Sequence, residues 1–112
     1  MTTTRQHKVA RLLQKELGFF FQKRGAEITG GRMVTVTVVR ISPDLGIAKV
    51  YLSIYPGEGS DEPLQTIKDR AGMIRSDIGK TLRNQLRHIP AFMFFNDDSL
   101  DYIDRIDNLL KE

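Results

Sequence analysis

Lys80, Arg83 and Arg87 follow one another at helical spacing, with Ser76 one step earlier, so on a helix they share a face. Lys8, Arg11 and Lys15 repeat the pattern near the N-terminus. Two such rows of cations have one obvious chemistry, the neutralisation of phosphates on a polyanion, which is salt-dependent and largely blind to sequence. An ordinary solvated helix face gives the same pattern, so the rows carry meaning only once positioned. Other chemistries find little support. The chain has no cysteine, which removes thiolate metal sites, cysteine nucleophiles and disulfides and fits a reducing compartment. His7 and His88 are the near-neutral bases, and neither stands in a motif with partners at metal-ligand spacing. Asp97, Asp98, Asp101 and Asp104 lack the central glycine of a calcium loop and read as the acidic first turn of a helix. No Walker-type glycine loop is present. The expectation is a binding protein with no catalytic residues, no metal and no cofactor.

The charge is polarised along the chain. Met1 to Arg24 holds six basic residues against one acidic, and Lys68 to His88 six against two, whereas Asp97 to Glu112 is net acidic by four. A chain built this way can present a positive surface while its formal total stays at +3. With 112 residues, 40% of them hydrophobic, it is long enough for one compact core and too short for two, so residues 1–112 are expected to form one domain. No segment approaches the roughly 20 apolar residues of a membrane span, and the N-terminus lacks the apolar run of a secretory signal, so a cytoplasmic location without membrane contact is expected.

The elements that must position these cations can be read from periodicity. Between Arg5 and Lys23, Val9, Leu13, Leu17 and Phe20 recur at helical spacing with Phe21 beside them, opposite Lys8, Arg11 and Lys15. Arg24-Gly25 and Gly30-Gly31 suggest that a loop follows. MVTVTVVRI, Met33 to Ile41, alternates β-branched residues as a half-buried strand does, and SPDLG supplies a turn. In IAKVYLSIY, Ala48, Val50, Leu52 and Ile54 point one way and Lys49, Tyr51, Ser53 and Tyr55 the other, giving an antiparallel pair. Tyr51 and Tyr55 are then either cross-strand neighbours or a platform on which bases could stack. Pro56 to Pro63 reads as a linker. Leu64, Ile67, Lys68 and Ala71 form one apolar stripe with its own buried side, and Ile74, Ile78, Leu82 and Leu86 form a second, which HIP at Pro90 ends. AFMFFN is strand-like with faces that cannot be assigned, and DDSLDYIDRIDNLL reads as a last helix capped by Asp98 or Ser99. One three-stranded sheet covered by helices is an α+β domain.

Gly72 divides the two helical stripes, where glycine costs roughly 1 kcal/mol against alanine. A bend at Ala71-Gly72 lets both stripes face one sheet, and the small pair leaves room for a backbone or a phosphate to approach. The following helix starts with free N–H groups that attract anions. The simpler alternative is that Gly72 packs against a neighbouring strand. For Arg75, which borders the apolar stripe, the alternative to a phosphate contact is a structural pairing with a carboxylate such as those of the acidic tail.

Four blocks in this order, RQHKVARLLQKELGFFFQ, VTVTVVRISPDLGIAKVYLSIY, AGMIRSDIGK and PAFMFFNDDSLDYIDRIDNLL, resemble the ribosome-binding factor A family over nearly the whole chain. The resemblance implies a type II KH-like fold, α-β-β-α-α-β, with a three-stranded sheet, a kinked helix pair and a short C-terminal helix. It replaces the usual G-x-x-G loop by an interhelical kink of form A-x-G, here Arg70-Ala71-Gly72, with arginine at the first alanine. The stretch from Gly79 to Pro90 is slightly longer than usual, and the long tail that some relatives carry is absent. The implied function is a bacterial ribosome-assembly factor that binds 16S rRNA in the small (30S) subunit and assists late maturation, including that of the rRNA 5′ end. Lys8, Arg11, Lys15, Arg70, Arg75, Lys80, Arg83 and Arg87 are the candidate RNA contacts, with Ala71 and Gly72 at the kink. A KH-like module acting mainly through a protein partner, such as an assembly GTPase, is the alternative. Nothing in the chain requires more than a monomer.

Overall fold

The computed structural model describes residues 3–55 and 62–97. The element order is α1 (Thr4–Thr29), β1 (Met33–Ile41), β2 (Ile47–Tyr55), α2 (Glu62–Asp69), α3 (Ala71–Leu82) and β3 (Ala91–Asn96). This is the α+β order of a type II KH-like domain. The last helix expected from the sequence lies beyond Asp97, outside the described residues.

Helix α1 begins with a capping box: Thr3 Oγ1 accepts from the Gln6 N–H, and the Gln6 side chain accepts from the Thr3 N–H. It does not end at Arg24-Gly25 as the sequence suggests. Gly25 is buried inside the helix, and a Cβ there would lie 3.3 Å from the Val34 side chain. That glycine is used for close approach to β1, not as a breaker. Termination comes at Gly30, which takes the left-handed conformation (φ 75°) that glycine adopts without steric cost.

The sheet has order β1-β2-β3, with β1 antiparallel and β3 parallel to β2. All of its buried side chains join one core with those of the three helices, so the helices form a single layer on one side. Ala48, Val50 and Leu52 of the central strand are wholly buried, and Phe92 and Phe94 extend that surface onto β3. The two faces of β3 thereby become clear: Phe92 and Phe94 point to the helices, Ala91, Met93 and Phe95 away. In β1 the simple alternation fails. Val34 and Val36 are buried, but so are Val39 and Ile41, because Thr37 is an extra residue between the pairs Val36–Leu52 and Val38–Tyr51. This β-bulge shifts the phase of the strand by one. Thr37 Oγ1 donates to the Tyr51 carbonyl, and the Thr37 carbonyl accepts from Gln14 Nε2 of α1.

Arg24 joins α1 to α3 through a 2.9 Å bond to Asp77, with its guanidinium also over the Phe20 ring. Among the described residues no helix is long and apolar enough to cross a membrane, and no cluster of three or more metal-ligating side chains occurs.

Candidate nucleic-acid interface

The buried stripe of α1 runs through Val9, Leu13, Leu17 and Phe20. At 100° per residue Lys8, Arg11 and Lys15 fall on the opposite side, and all three are exposed. On α3 the buried stripe is Ile74, Ile78 and Leu82, and Lys80 and Arg83 lie opposite, also exposed. Since both helices belong to one layer, the two rows point away from the sheet on the same side of the molecule. Lys80 sits directly beside α1, where it shares a hollow with Glu16, Phe19 and Lys23. Asp77, which would weaken a positive surface there, is already bonded to Arg24.

The row on α3 is shorter than the sequence suggests. The helix ends at Leu82, with Arg83 as its C-cap, and turns follow, so Arg87 is not on the helical face with Ser76, Lys80 and Arg83. At this end the Leu82 carbonyl accepts from both the Gln85 and the Leu86 N–H, a shared bond of the kind common at helix termini. Arg87 instead lines a hollow with Arg5, His88, Leu45 and the carboxylate of Asp44, next to the start of α1. Arg5 is thus a cation of this surface that spacing alone does not pick out, because it becomes a neighbour of Arg87 only through the fold.

Among the described residues Arg75 meets no carboxylate, and the acidic tail beyond Asp97 lies outside them; its guanidinium is held by backbone instead. Its Nη2 and Nε donate to the Ile89 carbonyl at 2.6 and 3.0 Å, and Nε also reaches the Pro90 carbonyl at 3.3 Å. It fastens α3 to the segment that leads into β3. Among the described residues, Arg75 is the candidate cation whose guanidinium bonds to the backbone of the fold.

The break between α2 and α3 falls at Arg70, whose φ of −102° and ψ of 13° lie off the helical values, and Ala71 and Gly72 are the first residues of α3. Arg70 is exposed, and no side chain caps the N-terminus that it precedes. Gly72 does not pack against a strand. A Cβ placed on it would meet nothing within 4 Å among the described residues, and its φ is not positive. Among the described residues neither packing nor backbone conformation asks for glycine here, although the helix bears its cost of roughly 1 kcal/mol. What the missing side chain leaves is open space at the head of a helix.

Next to this bend is a groove bounded by Lys68, Ala71 and the edge strand β3 from Phe92 to Phe95. Spacing groups Lys68 with the buried residues of its helix, but it is exposed and lines this groove. Lys68 and Phe95 belong to the surroundings of the kink, and only the placement of β3 at the sheet edge reveals it. Tyr51 proves to be a cross-strand neighbour, stacked on Phe95 with centroids 5.3 Å apart, while Tyr55 is largely exposed.

Comparison with known proteins agrees with the fold. The family profile described as Ribosome-binding factor A matches residues 5–110. A ribosome-binding factor A from Cytophaga hutchinsonii is 40% identical over 112 residues, covering all of this chain and 84% of the relative. One from Brevibacillus brevis is 40% identical over 113 residues, covering all of this chain and 91% of the relative. The crystal structure of ribosome-binding factor A from Thermus thermophilus superposes with a TM-score of 0.66 at 19% identity, over 81% of this chain and 94% of that one. A second Thermus thermophilus set of coordinates, a homology model fitted into a cryo-EM map of a 30S complex, gives 0.61 at 20% identity, over 75% and 86% of the two chains. The chain belongs to the ribosome-binding factor A family.

Proposed function

We propose that this protein is an assembly factor that docks on the rRNA of the small ribosomal subunit through the outer side of its helical layer. The observation that carries the reading is the common direction of Lys8, Arg11 and Lys15 on α1 and Lys80 and Arg83 on α3, with Arg87 and Arg5 at the end of the same layer. Phosphate contacts by such a surface give affinity that falls steeply with salt, and structured RNA is recognised through its shape rather than its sequence. The open position at Gly72, beside Arg70, lets a phosphate come close to the N-terminus of α3. The Thermus relative fitted into a 30S complex supports the choice of partner.

In this reading the protein acts in the cytoplasm as a monomer during late maturation of the 16S rRNA, including its 5′ end, and catalyses no step itself. It holds an rRNA arrangement by binding it. The test is the triple charge reversal Lys80→Glu, Arg83→Glu, Arg87→Glu, all at exposed positions off the apolar stripe. Circular dichroism should remain native while co-sedimentation with immature small subunits drops sharply, and wild-type binding should weaken as salt rises. Unchanged co-sedimentation by a natively folded variant, with little response to salt, would overturn the electrostatic account. It would favour a contact made through a protein partner such as an assembly GTPase.

A further inference from the structure

The side of the sheet turned away from the helices carries a chemistry that the helical layer does not use. Arg40, Tyr51 and Phe95 stand in line across β1, β2 and β3. The guanidinium of Arg40 is 6.0 Å from the Tyr51 ring centroid, and the Tyr51 and Phe95 rings stack with an interplanar angle of 27°. Lys49 pairs with Arg40 across β1 and β2 and is exposed, as is Met93 beside it on β3. No strand residue is acidic, so the charged side chains that the strands themselves supply here, Arg40 and Lys49, are both positive. The row ends at Phe95 on the edge strand, and Phe95 also lines the groove beside the kink with Lys68 and Ala71.

We infer that this face is a second RNA surface, on which an unpaired nucleotide leaving the kink groove adds its base to the Arg40–Tyr51–Phe95 row at the Phe95 end. An aromatic row flanked by cations, on strands that carry no carboxylate, suits a base and its phosphate, whereas a protein partner would be expected to meet a mixed or wholly apolar face. Contact is by stacking and charge, so it tolerates any base. The stack itself is made by strand residues and not by the cations of α1 and α3, so the two readings can fail separately. A protein bound on both sides would hold two RNA segments at a fixed separation.

The probe is a short fluorescein-labelled single-stranded RNA of mixed sequence, titrated with the full chain. Replacing both rings, Tyr51→Leu with Phe95→Leu, keeps apolar bulk while removing the stack, and should weaken binding about tenfold or more. The same loss is expected in the background of the Lys80, Arg83 and Arg87 reversal, since the contribution is independent of that face. Equal affinity for wild type and the double variant would overturn the inference. So would loss of subunit binding with naked-RNA affinity intact, because that places a ribosomal protein on the face. If the double variant loses its native circular dichroism spectrum, ultraviolet cross-linking of the wild-type chain decides instead. Cross-links in the peptides bearing Tyr51 or Phe95 support the inference, and cross-links confined to α1 and α3 refute it.

Discussion

Neutralising Arg75 should separate a cation that holds the fold from one that binds phosphate. Its guanidinium donates to the Ile89 carbonyl twice, at 2.6 and 3.0 Å, and to the Pro90 carbonyl at 3.3 Å. A hydrogen bond with a charged partner contributes about 1.5–3 kcal/mol when shielded, but Arg75 is exposed, so solvent reduces the expected total to about 1 kcal/mol. For a domain of this size that corresponds to a fall in Tm of roughly 4–8 °C. The assay pairs thermal unfolding of Arg75→Gln with subunit binding measured across a salt series. The variant should melt earlier, and below its Tm the slope of log affinity against log salt should match wild type. Arg83→Gln should do the reverse, leaving Tm nearly unchanged and reducing the slope by about one. If Arg75→Gln keeps its Tm and loses a full unit of slope, the staple is an incidental contact and Arg75 belongs with the phosphate ligands after all.

Two glycines should respond in opposite directions. Gly72→Ala should raise stability in denaturant unfolding by about 0.5–1 kcal/mol, because the site is open and helical, whereas Gly25→Leu should lower it by about 1–3 kcal/mol by forcing α1 off Val34. A destabilised Gly72→Ala would show that the bend needs glycine for its own geometry. Asp44 should contribute to acid sensitivity: Ser42 Oγ and then the Gly46 N–H donate to its carboxylate and hold its pKa below the ordinary 3.8. Its stabilising effect is therefore present above the unfolded pKa and lost as pH falls through the lower folded value. Asp44→Asn should show a shallower decline of Tm than wild type below about pH 4, and parallel declines would refute this.

The strands are legible in the sequence because their ends are marked chemically. SPDLG builds its turn from Ser42 and Asp44 side chains, and β-branched runs on either side have little alternative to a sheet. The first helix reads too short because glycine carries two meanings, a break in the chain or close packing, and only the presence of Val34 against Gly25 tells them apart. The bulge escapes for a similar reason: Val38 and Val39 are chemically alike, so nothing in the letters says which of them is turned inward. Among the candidate contacts, Lys8, Arg11, Lys15, Lys80 and Arg83 can be placed outward because helical period alone determines their direction. Arg75, Arg87, Lys68 and Phe95 cannot, since their surroundings come from chain segments distant in sequence. Gly72 stands out as unusual, but whether its missing side chain faces protein or solvent requires the fold.

Thr37 gives β1 a tolerance that its neighbours lack. Because it is the surplus residue between two matched stretches, a natural deletion there would leave Val34 and Val36 on one side of the seam and Val39 and Ile41 on the other still aimed at the helices. Loss of a single residue elsewhere in the strand would turn half of its valines outward. Homologues with a strand one residue shorter at this point could therefore keep the same interior, and their alignments should place the gap at Thr37 or Val38.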